Sequence, residues 1–227
     1  IGITFGIAFF VVTQAQTSGF ETFFIRTILG TNGAIKVSDR FQDMDETFSR
    51  TDQGGKSRFS FRSRENSRYT EGIDTPNLLR KALSQFMGIT GISEILEGNA
   101  ILDTGSRSHT ISFHGIRIND HISVSDLENQ IIIGDLSSFE SDKMSVLIGS
   151  RIAQRLMIKQ GDRVTLKGGT GNIQLRVSGI FESGVSQIDK NRIYLHLAKA
   201  REFKGKRFSG SFFQVSVQNP NLAPQIA

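Results

Sequence analysis

The sequence predicts an α+β fold in which a long N-terminal helix precedes a domain of short, mainly antiparallel strands. The first twenty residues carry no charge, and their apolar spacing continues as a helical pattern beyond them. Residues 163–178 alternate between apolar and polar side chains on both sides of a glycine-rich turn, as two paired strands do. The chain has 227 residues, which is enough for one large domain or two small ones.

The N-terminal helix begins in an apolar run. Residues 1–12 are almost wholly apolar, residues 13–19 are small or polar without charge, and Glu21 is the first charged residue. About twenty helical residues cover roughly 30 Å, the thickness of the hydrocarbon core of a bilayer. We therefore expect residues 1–30 to form the end of a transmembrane helix and a stalk that projects from the membrane. Because the chain starts at Ile1, we also expect further residues before it.

The stalk is predicted from helical spacing that ends in a helix stop, Gly30 with Asn32-Gly33. A rod without proline can transmit displacement, and its single internal glycine is one soft point. The residues expected to act in this coupling are Gly19, Phe20, Phe23, Phe24, Ile28 and Leu29. Two alternatives remain open. The apolar run resembles the core of a signal peptide with a cleavage site at residues 13–15, and residues 20–29 can form a separate amphipathic helix.

The first half of the domain contains several short apolar segments around one long polar stretch. Residues 39–70 are predicted to be a polar loop, and Pro76 lies in the first turn of a helix that runs to about Phe86. The remaining segments are expected to be strands at residues 34–38, 89–96, 100–104 and 109–118, a turn or short helix at 124–129, and an apolar segment at 131–133.

The second half of the sequence contains the clearest supersecondary unit, which lies between residues 146 and 181. A buried strand at 146–148 is followed by a helix capped by Ser150, with Ile152, Ala153, Leu156 and Met157 on its buried face. Two strands then follow, joined by a turn at residues 168–171. The chain is expected to finish with a strand at 192–197, a helix at 198–203 and a strand at 212–217.

Composition and motifs argue against chemistry by this chain. The net charge of +5 is spread along the sequence, which argues against nucleic-acid binding, and there is no cysteine. Gly54-Gly55-Lys56-Ser57 lacks the upstream glycine of a phosphate-binding loop, since Arg50 occupies that position. The four histidines lack the spacing of metal ligands. We expect no enzymatic activity, no metal and no cofactor.

An arginine-rich patch occupies the polar loop, with aromatic residues between its members Arg58, Arg62, Arg64 and Arg68. Such a patch near a membrane attracts anionic lipid headgroups by about 1 kcal/mol per charge, or it contacts an acidic partner. The alternative, a solvated hairpin whose arginines face water, is the interpretation that the spacing favours.

Three segments together carry a resemblance to a known family. Residues 1–30 resemble the first membrane helix and stalk of the lipoprotein-releasing permeases of LolC/LolE type, with Ser18-Gly19-Phe20 in place of their Asn-Gly-Phe. Residues 146–164 resemble the strand, helix and Gly-Asp turn of that family, and residues 177–203 resemble its Gly-Ile-Phe-Glu-x-Gly segment. In combination the matches are typical of the wider group of permeases that includes MacB and FtsX-like proteins.

The resemblance implies a subunit of an ABC transporter permease in the bacterial inner membrane, with most of this chain in the periplasm. It implies a separate ATPase subunit, a dimer with a second copy or a paralogue, and further membrane helices after Ala227. It also implies a MacB-like periplasmic domain of two α+β subdomains: a first, Porter-like one at residues 31–118 and 205–227, and a second, β-rich, Sabre-like one at 119–204 inserted into it.

The function implied is mechanical. ATP-driven motion of the partner ATPase is passed through the stalk to the periplasmic domain, which releases or exports a substrate. The substrate that we expect is an outer-membrane lipoprotein. The turn at residues 168–171 is much shorter than the hook by which LolC-type subunits capture a lipoprotein carrier. The alternative within the same group is an FtsX-like scaffold that activates a periplasmic cell-wall hydrolase.

Overall fold

The computed structural model describes residues 2–38, 73, 75–86, 88–168, 171–205 and 211–218, without the side chains of residues 2, 21–29 and 32. Eight helices and nine strands lie within these residues. The predicted polar loop, with Arg58, Arg62, Arg64 and Arg68, lies outside them.

Helix α1 spans Gly2–Asn32 without interruption, so a continuous helix through Gly30 is present. It stops at the expected signal, because Gly33 has φ +67°, a left-handed conformation that glycine adopts readily. Over the described residues, however, no helix combines the length and apolar character needed to cross a bilayer. The polar residues 13–19 lower the mean hydropathy of the helix. The predicted membrane segment is therefore not confirmed.

The domain that follows is mixed α/β, and its elements are short apart from β2. The strands are β1 (Ile35–Ser38), β2 (Ile89–Asp103), β3 (Ser108–Ile116), β4 (Ile131–Gly134), β5 (Ser145–Gly149), β6 (Arg163–Gly168), β7 (Gly171–Phe181), β8 (Arg192–His196) and β9 (Phe212–Val217). The helices are α2 (Pro76–Leu83), α3 (Ile118–His121), α4 (Leu127–Gln130), α5 (Leu136–Ser141), α6 (Ser150–Leu156), α7 (Ser186–Asn191) and α8 (Leu197–Lys204).

Six strands form a closed barrel in the order β2-β3-β8-β5-β7-β6. The ring closes because β6 pairs with β7 along its length and with residues 101–103 of β2. Two of the six pairings, β3 with β8 and β5 with β7, are parallel, and the other four are antiparallel. Closure gives each of these strands a partner on both sides over part of its length.

Apolar side chains fill the barrel. They alternate inward along each strand, and α6 and α8 contribute further residues to the same cluster. Phe113 and Phe203 meet edge to face with their ring centroids 5.4 Å apart. The cluster includes Leu102, Ile111, Val146, Ile148, Ile152, Leu156, Val164, Leu166, Leu175, Val177, Ile193, Leu195 and Ala200.

A small antiparallel sheet continues from the barrel along the first half of β2. Residues 89–95 of β2 pair with β9, and β9 pairs with β1 on its other side. Phe213 and Val215 of β9 form a separate apolar cluster with Ile73 and the inner face of α2. One long strand therefore belongs to both the small sheet and the barrel. The predicted subdomain boundaries at residues 118 and 205 stay a prediction.

Four details of the sequence interpretation are wrong. Residues 89–103 form one strand and not two, and Gly98 within it lets the ring of Phe113 pack where a Cβ atom would lie 2.5 Å from it. Strand β3 ends at Ile116 and a helix begins at Ile118. Helix α2 ends at Leu83, before Phe86. Helices α5 and α7 were not predicted at all.

The helix after β5 also differs from the prediction. Gly149, and not Ser150, occupies its N-cap position. Met157 is not on the buried face: it follows the last helical residue in a left-handed conformation, with φ 57°, and its side chain is 71% exposed. The predicted hairpin is present, with Gly168 opposite Gly171 in the register of β6 and β7.

Candidate coupling site between helix α1 and the barrel

The C-terminal end of α1 is attached to the domain through backbone groups. The carbonyl oxygen of Gly30 accepts a hydrogen bond from the amide of Asp126 at 2.8 Å and one from Nε2 of Gln130 at 3.4 Å. Thr31 is almost fully buried, and the amide of Ala34 donates to the carbonyl of Val215 in β9 at 3.1 Å. The two bonds to Gly30 use a carbonyl of the kind that a helix end leaves without a partner, and all three bonds fix where the helix meets the domain.

The loop after α3 lies between the end of α1 and strand β2. A Cβ atom on Gly91 of β2 would lie 2.4 Å from the carbonyl oxygen of Ser123, so only glycine allows this approach. The amides of Val124 and Ser125 both donate to the carbonyl of His121, the last residue of α3. Contacts therefore continue from the end of α1 through this loop to α3.

Helix α3 is connected to α2 by a salt bridge with two hydrogen bonds. Nη1 and Nη2 of Arg80 lie 2.6 and 2.7 Å from the two carboxylate oxygens of Asp120. This hydrogen bonding raises the pKa of Arg80, although burial opposes the effect. Nη1 of Arg117 lies 3.3 Å from the same carboxylate. A paired arginine–carboxylate contact of this kind fixes orientation as well as distance.

Arg117 extends the network to a buried carboxylate on β2. The side chain of Glu94 is 1% exposed, and its Oε2 atom lies 3.1 Å from Nη2 of Arg117. Its Oε1 atom pairs with Nη2 of Arg201 on helix α8. A buried charge is tolerated only when it is paired, so these two arginines hold Glu94 in place. We call Arg80, Glu94, Arg117, Asp120 and Arg201 the charge network.

Two buried histidines flank the network. Oγ of Ser93 lies 3.3 Å from Nδ1 of His121, and burial lowers the pKa of His121 to about 3. Burial also lowers the pKa of His114 to about 4, although Glu97, whose Oε1 lies 3.6 Å from its Nε2, opposes the shift. The hydrogen bond with His114 in turn lowers the pKa of Glu97 to about 2. Both rings are therefore neutral at neutral pH.

The site connects elements of the fold through hydrogen bonds and salt bridges. Within the described ranges, no three potential metal ligands lie close enough together to hold an ion. What the arrangement provides is a continuous series of contacts from the end of α1, through α3 and the charge network, to helix α8 of the barrel.

The residues predicted for coupling all lie on α1. Phe20 is 67% exposed, and no neighbouring atom lies within 4 Å of the Cβ position of Gly19. Phe23, Phe24, Ile28 and Leu29 belong to the same helix. Sequence reasoning missed the charge network. Its one signal was Glu94, a carboxylate in an otherwise apolar strand segment, but no pattern in the sequence shows which arginines would approach it.

Comparisons with known proteins agree with this architecture. The family model of the MacB-like periplasmic core domain matches residues 1–227, and the chain belongs to that family. It is thus the periplasmic domain of a permease of the MacB/FtsX-like ABC transporter group. A comparison with curated proteins finds no match.

Two solved structures show the same fold. The periplasmic region of MacB from Actinobacillus actinomycetemcomitans is similar with a TM-score of 0.55 and 15% identity, over 89% of this chain and 83% of that one. The extracellular domain of the noncanonic ABC-type transporter YknZ from Gram-positive bacteria is similar with a TM-score of 0.50 and 15% identity, over 64% of this chain and 74% of that one. At such identities the likeness concerns the fold alone.

Proposed function

We propose that this domain receives ATP-driven displacement through α1 and uses it to release or export a substrate that is already in the periplasm. The observation that carries the proposal is the direct attachment of α1 to the domain at Gly30, from which contacts continue to the barrel. The ATP would be hydrolysed by a separate ATPase subunit, and the permease would act as a dimer with a second copy or a paralogue in the inner membrane.

The exposed surface of α1 supports a membrane-proximal position. Its apolar side chains point in all directions, so no single face can be covered by one neighbouring element. Each is more than half exposed in this structure: Ile3, Phe5, Ile7, Phe9, Phe10, Val11 and Val12. A helix that is apolar on all sides requires an apolar environment around it. We therefore propose that α1 is the end of a longer membrane helix.

The hydroxyl groups of α1 are compatible with such an environment. Oγ1 of Thr13 donates to the carbonyl of Phe9 at 2.9 Å, and Oγ1 of Thr17 donates to the carbonyl of Thr13 at 3.0 Å. These bonds satisfy the hydroxyls within the helix itself, which removes most of the cost of placing them away from water. The helix then extends to Gly30 without a proline, as a transmitting rod requires.

We propose outer-membrane lipoproteins as the substrate, on the resemblance to lipoprotein-releasing permeases. The hairpin at residues 168–171 is too short for a hook that captures a lipoprotein carrier, so carrier capture would belong to a partner subunit. The domain itself would be non-enzymatic. The FtsX-like alternative, activation of a cell-wall hydrolase, uses the same mechanical coupling and differs in what the domain touches.

The test is a flexible insertion in the intact permease with its ATPase. Four residues, Gly-Ser-Gly-Ser, placed in α1 after Phe20 should leave ATP hydrolysis close to normal and reduce substrate release at least about tenfold, because the helix that carries displacement to Gly30 is then interrupted. The matched control places the same four residues after Gly105, in the exposed β2–β3 hairpin. Full release by the first variant would end the coupling proposal.

The partner distinguishes the two functions. A photo-reactive amino acid at exposed positions of the domain, in the intact complex, should crosslink to a lipoprotein during ATP turnover if release is the function. Crosslinking to a cell-wall hydrolase, with no ATP-dependent lipoprotein adduct, would favour the scaffold function and leave the coupling mechanism standing.

A further inference from the structure

His121 lies where three parts of the coupling site meet. It is the last residue of α3, and the loop after it leads to Asp126, whose amide donates to the carbonyl of Gly30 at the end of α1. Its Nδ1 atom lies 3.3 Å from Oγ of Ser93 in β2, and its ring centroid lies 5.3 Å from that of Tyr194 in β8 of the barrel. One imidazole therefore attaches α3 to both β2 and the barrel.

The surroundings accept this ring in its neutral form only. The side chain of His121 is 1% exposed, and its Nε2 atom has no hydrogen-bond partner among the described residues. A protonated imidazole donates a hydrogen bond from each of its two nitrogens, and a buried charge has to be paired. Ser93 can accept one of these hydrogen bonds, and no described residue accepts the other. Proton uptake inside the domain would therefore leave a buried donor and a buried charge without partners.

The charged groups around His121 do not provide a counterion. His114 of β3 and Arg192 of β8 act on it electrostatically, and because both are cations when charged, they add to the effect of burial in lowering the pKa of His121. The carboxylates of the elements packed against it are already engaged by other basic side chains: Glu94 and Asp120 by Arg117, and Glu97 by His114.

An imidazole in water therefore takes up a proton much more readily than this ring does inside the domain. Burial lowers the pKa of His121 to about 3, whereas an exposed histidine has a pKa of about 6.5. Between these two values a proton binds only when the ring has left its position, so a fall in pH favours the state in which it is outside. From pH 7 to pH 5 the ratio of the open to the closed state should rise about 25-fold.

Departure of the ring would disturb the contacts on both sides of it. The carbonyl of His121 accepts hydrogen bonds from the amides of Val124 and Ser125, which shape the loop that leads to the contact with Gly30. The preceding residue, Asp120, carries the salt bridge to α2. Release of His121 therefore loosens α3 at its salt bridge and at the loop that holds the end of α1.

We propose that His121 makes the coupling site sensitive to acid: when the ring takes up a proton it leaves its position between β2 and β8, α3 detaches, and displacement of α1 no longer reaches the barrel. This inference rests on the proposed coupling function and adds a means of regulating it. The opening is local, and the barrel stays folded around its apolar cluster. Global unfolding is not required, because the contacts that hold α3 are few and polar.

Hydrogen exchange of the complete 227-residue chain tests the opening without any transport assay. The probes are the amides of Val124, Ser125 and Asp126, and the reference amides are those of β5 and β8 in the barrel. After correction for the intrinsic pH dependence of exchange, the protection factors of the probes should fall about 25-fold from pH 7 to pH 5. At pH 5 they should lie below those of the reference amides. Probes that are protected as strongly as the barrel at pH 5 would show that only global unfolding exposes His121, and would overturn the proposal.

Two variants assign the effect to this ring. His121→Gln can still bond to Ser93 and His121→Phe keeps a ring against Tyr194, and neither side chain takes up a proton in this range. In both, the protection of the probes should change less than about threefold between the two pH values. His109→Phe, on the β2–β3 hairpin, is the matched control and should keep the full change. If the pH dependence survives in both His121 variants, another group causes it and the proposal is wrong.

The regulatory consequence is measured in the intact transporter with its ATPase. Substrate release per ATP hydrolysed should be lower at pH 5 than at pH 7 with the original chain, and His121→Gln should remove most of this loss. An equal response of the two chains to pH would overturn the regulatory role of His121, even where exchange detects the opening. Failure of the coupling function itself is detected separately, by the insertion in α1 at constant pH.

Discussion

The barrel and the coupling site differ in what holds them together. The barrel is closed by paired strands and filled by one apolar cluster. The coupling site has a few backbone hydrogen bonds at Gly30 and a network of five charged side chains. Apolar packing is non-directional and resists small displacements through many contacts, whereas a salt bridge exchanges partners within a short distance.

This difference suggests how displacement is used. A closed barrel with a close-packed interior moves as one body, since deforming it would expose apolar surface. The charge network contains a carboxylate, Asp120, that is shared by Arg80 and Arg117, so it stays paired with one arginine when it loses the other. Motion is therefore expected at the coupling site and not inside the barrel, a contrast that substitutions can test.

The largest effect on the free energy of unfolding is expected from a substitution inside the barrel. Phe113 is 2% exposed and packs against both Gly98 and Phe203. Phe113→Ala should lower the free energy of unfolding by about 3–5 kcal/mol, because it leaves a cavity that the barrel cannot close. Phe86→Ala is the control, since that ring is 58% exposed and should matter little. Urea unfolding measures both. A loss below about 1 kcal/mol for Phe113→Ala would contradict the close-packed barrel.

The next largest effect on stability is expected from a substitution in the charge network. Glu94→Gln removes the charge between Arg117 and Arg201 and should cost about 2–3 kcal/mol of stability, somewhat less than a fully buried pair because both arginines are partly exposed. Glu128→Gln changes an exposed carboxylate without a salt bridge among the described residues and should be neutral. In the intact transporter, Glu94→Gln should also reduce release per ATP hydrolysed. Equal stability of the two variants would show that the network does not join the elements.

The contrast between the barrel and the coupling site also explains which features could be predicted from the sequence. The long helix, the β6–β7 hairpin and most strands follow from local apolar spacing, which is the information that a sequence displays. The prediction placed two strands at residues 89–96 and 100–104, whereas Gly98 lies within one continuous strand, opposite Phe113 of β3, whose ring packs against it. The barrel closure likewise depends on the pairing of β6 with β2.

The contacts of the coupling site were even harder to predict from the sequence than the closure of the barrel. Its contacts join Gly30 to Asp126, Arg80 to Asp120 and Glu94 to Arg201, pairs that are separated by 40 residues or more. The side chains are ordinary surface types, so their spacing has no periodic signal. The stalk residues predicted from the helix pattern do lie on α1, but their role in coupling stays a prediction.

The pH dependence of stability tests the part of the coupling site around His121. Its pKa is lowered by burial from 6.5 to about 3, so the unfolded chain binds a proton at a higher pH than the folded one. Stability should therefore fall as pH drops below 6.5, by up to about 1.4 kcal/mol per pH unit from this group.

His121→Phe keeps a ring against Tyr194 and removes this proton, so the stability difference between pH 7 and pH 5 should shrink by about 2 kcal/mol. Urea unfolding at both values measures it. His109→Phe, on the exposed β2–β3 hairpin, serves as the comparison variant. If His121→Phe keeps the full pH dependence, the ring is not buried neutral as described.

The smallest effect on stability is expected at two glycines with positive φ. Comparing them separates the cost of backbone strain from an effect on coupling. Gly33 and Gly105 both have positive φ, +67° and +87°, so Gly33→Ala and Gly105→Ala should each cost about 1 kcal/mol. Their surroundings differ. A Cβ atom at Gly33 would lie 3.4 Å from the carbonyl oxygen of Val215 and 3.5 Å from that of Val124, whereas one at Gly105 would meet nothing within 4 Å.

Gly33 directly follows α1, so the backbone shift that relieves an alanine at φ +67° moves the contact between α1 and the domain. Only Gly33→Ala should therefore reduce substrate release per ATP hydrolysed in the intact transporter. The two thermal unfolding midpoints should stay within a few degrees of each other, which removes stability as the explanation. If both variants release substrate equally well, the contact at Gly33 tolerates displacement, and the position where α1 drives the barrel must be sought at Gly30 and Asp126 instead.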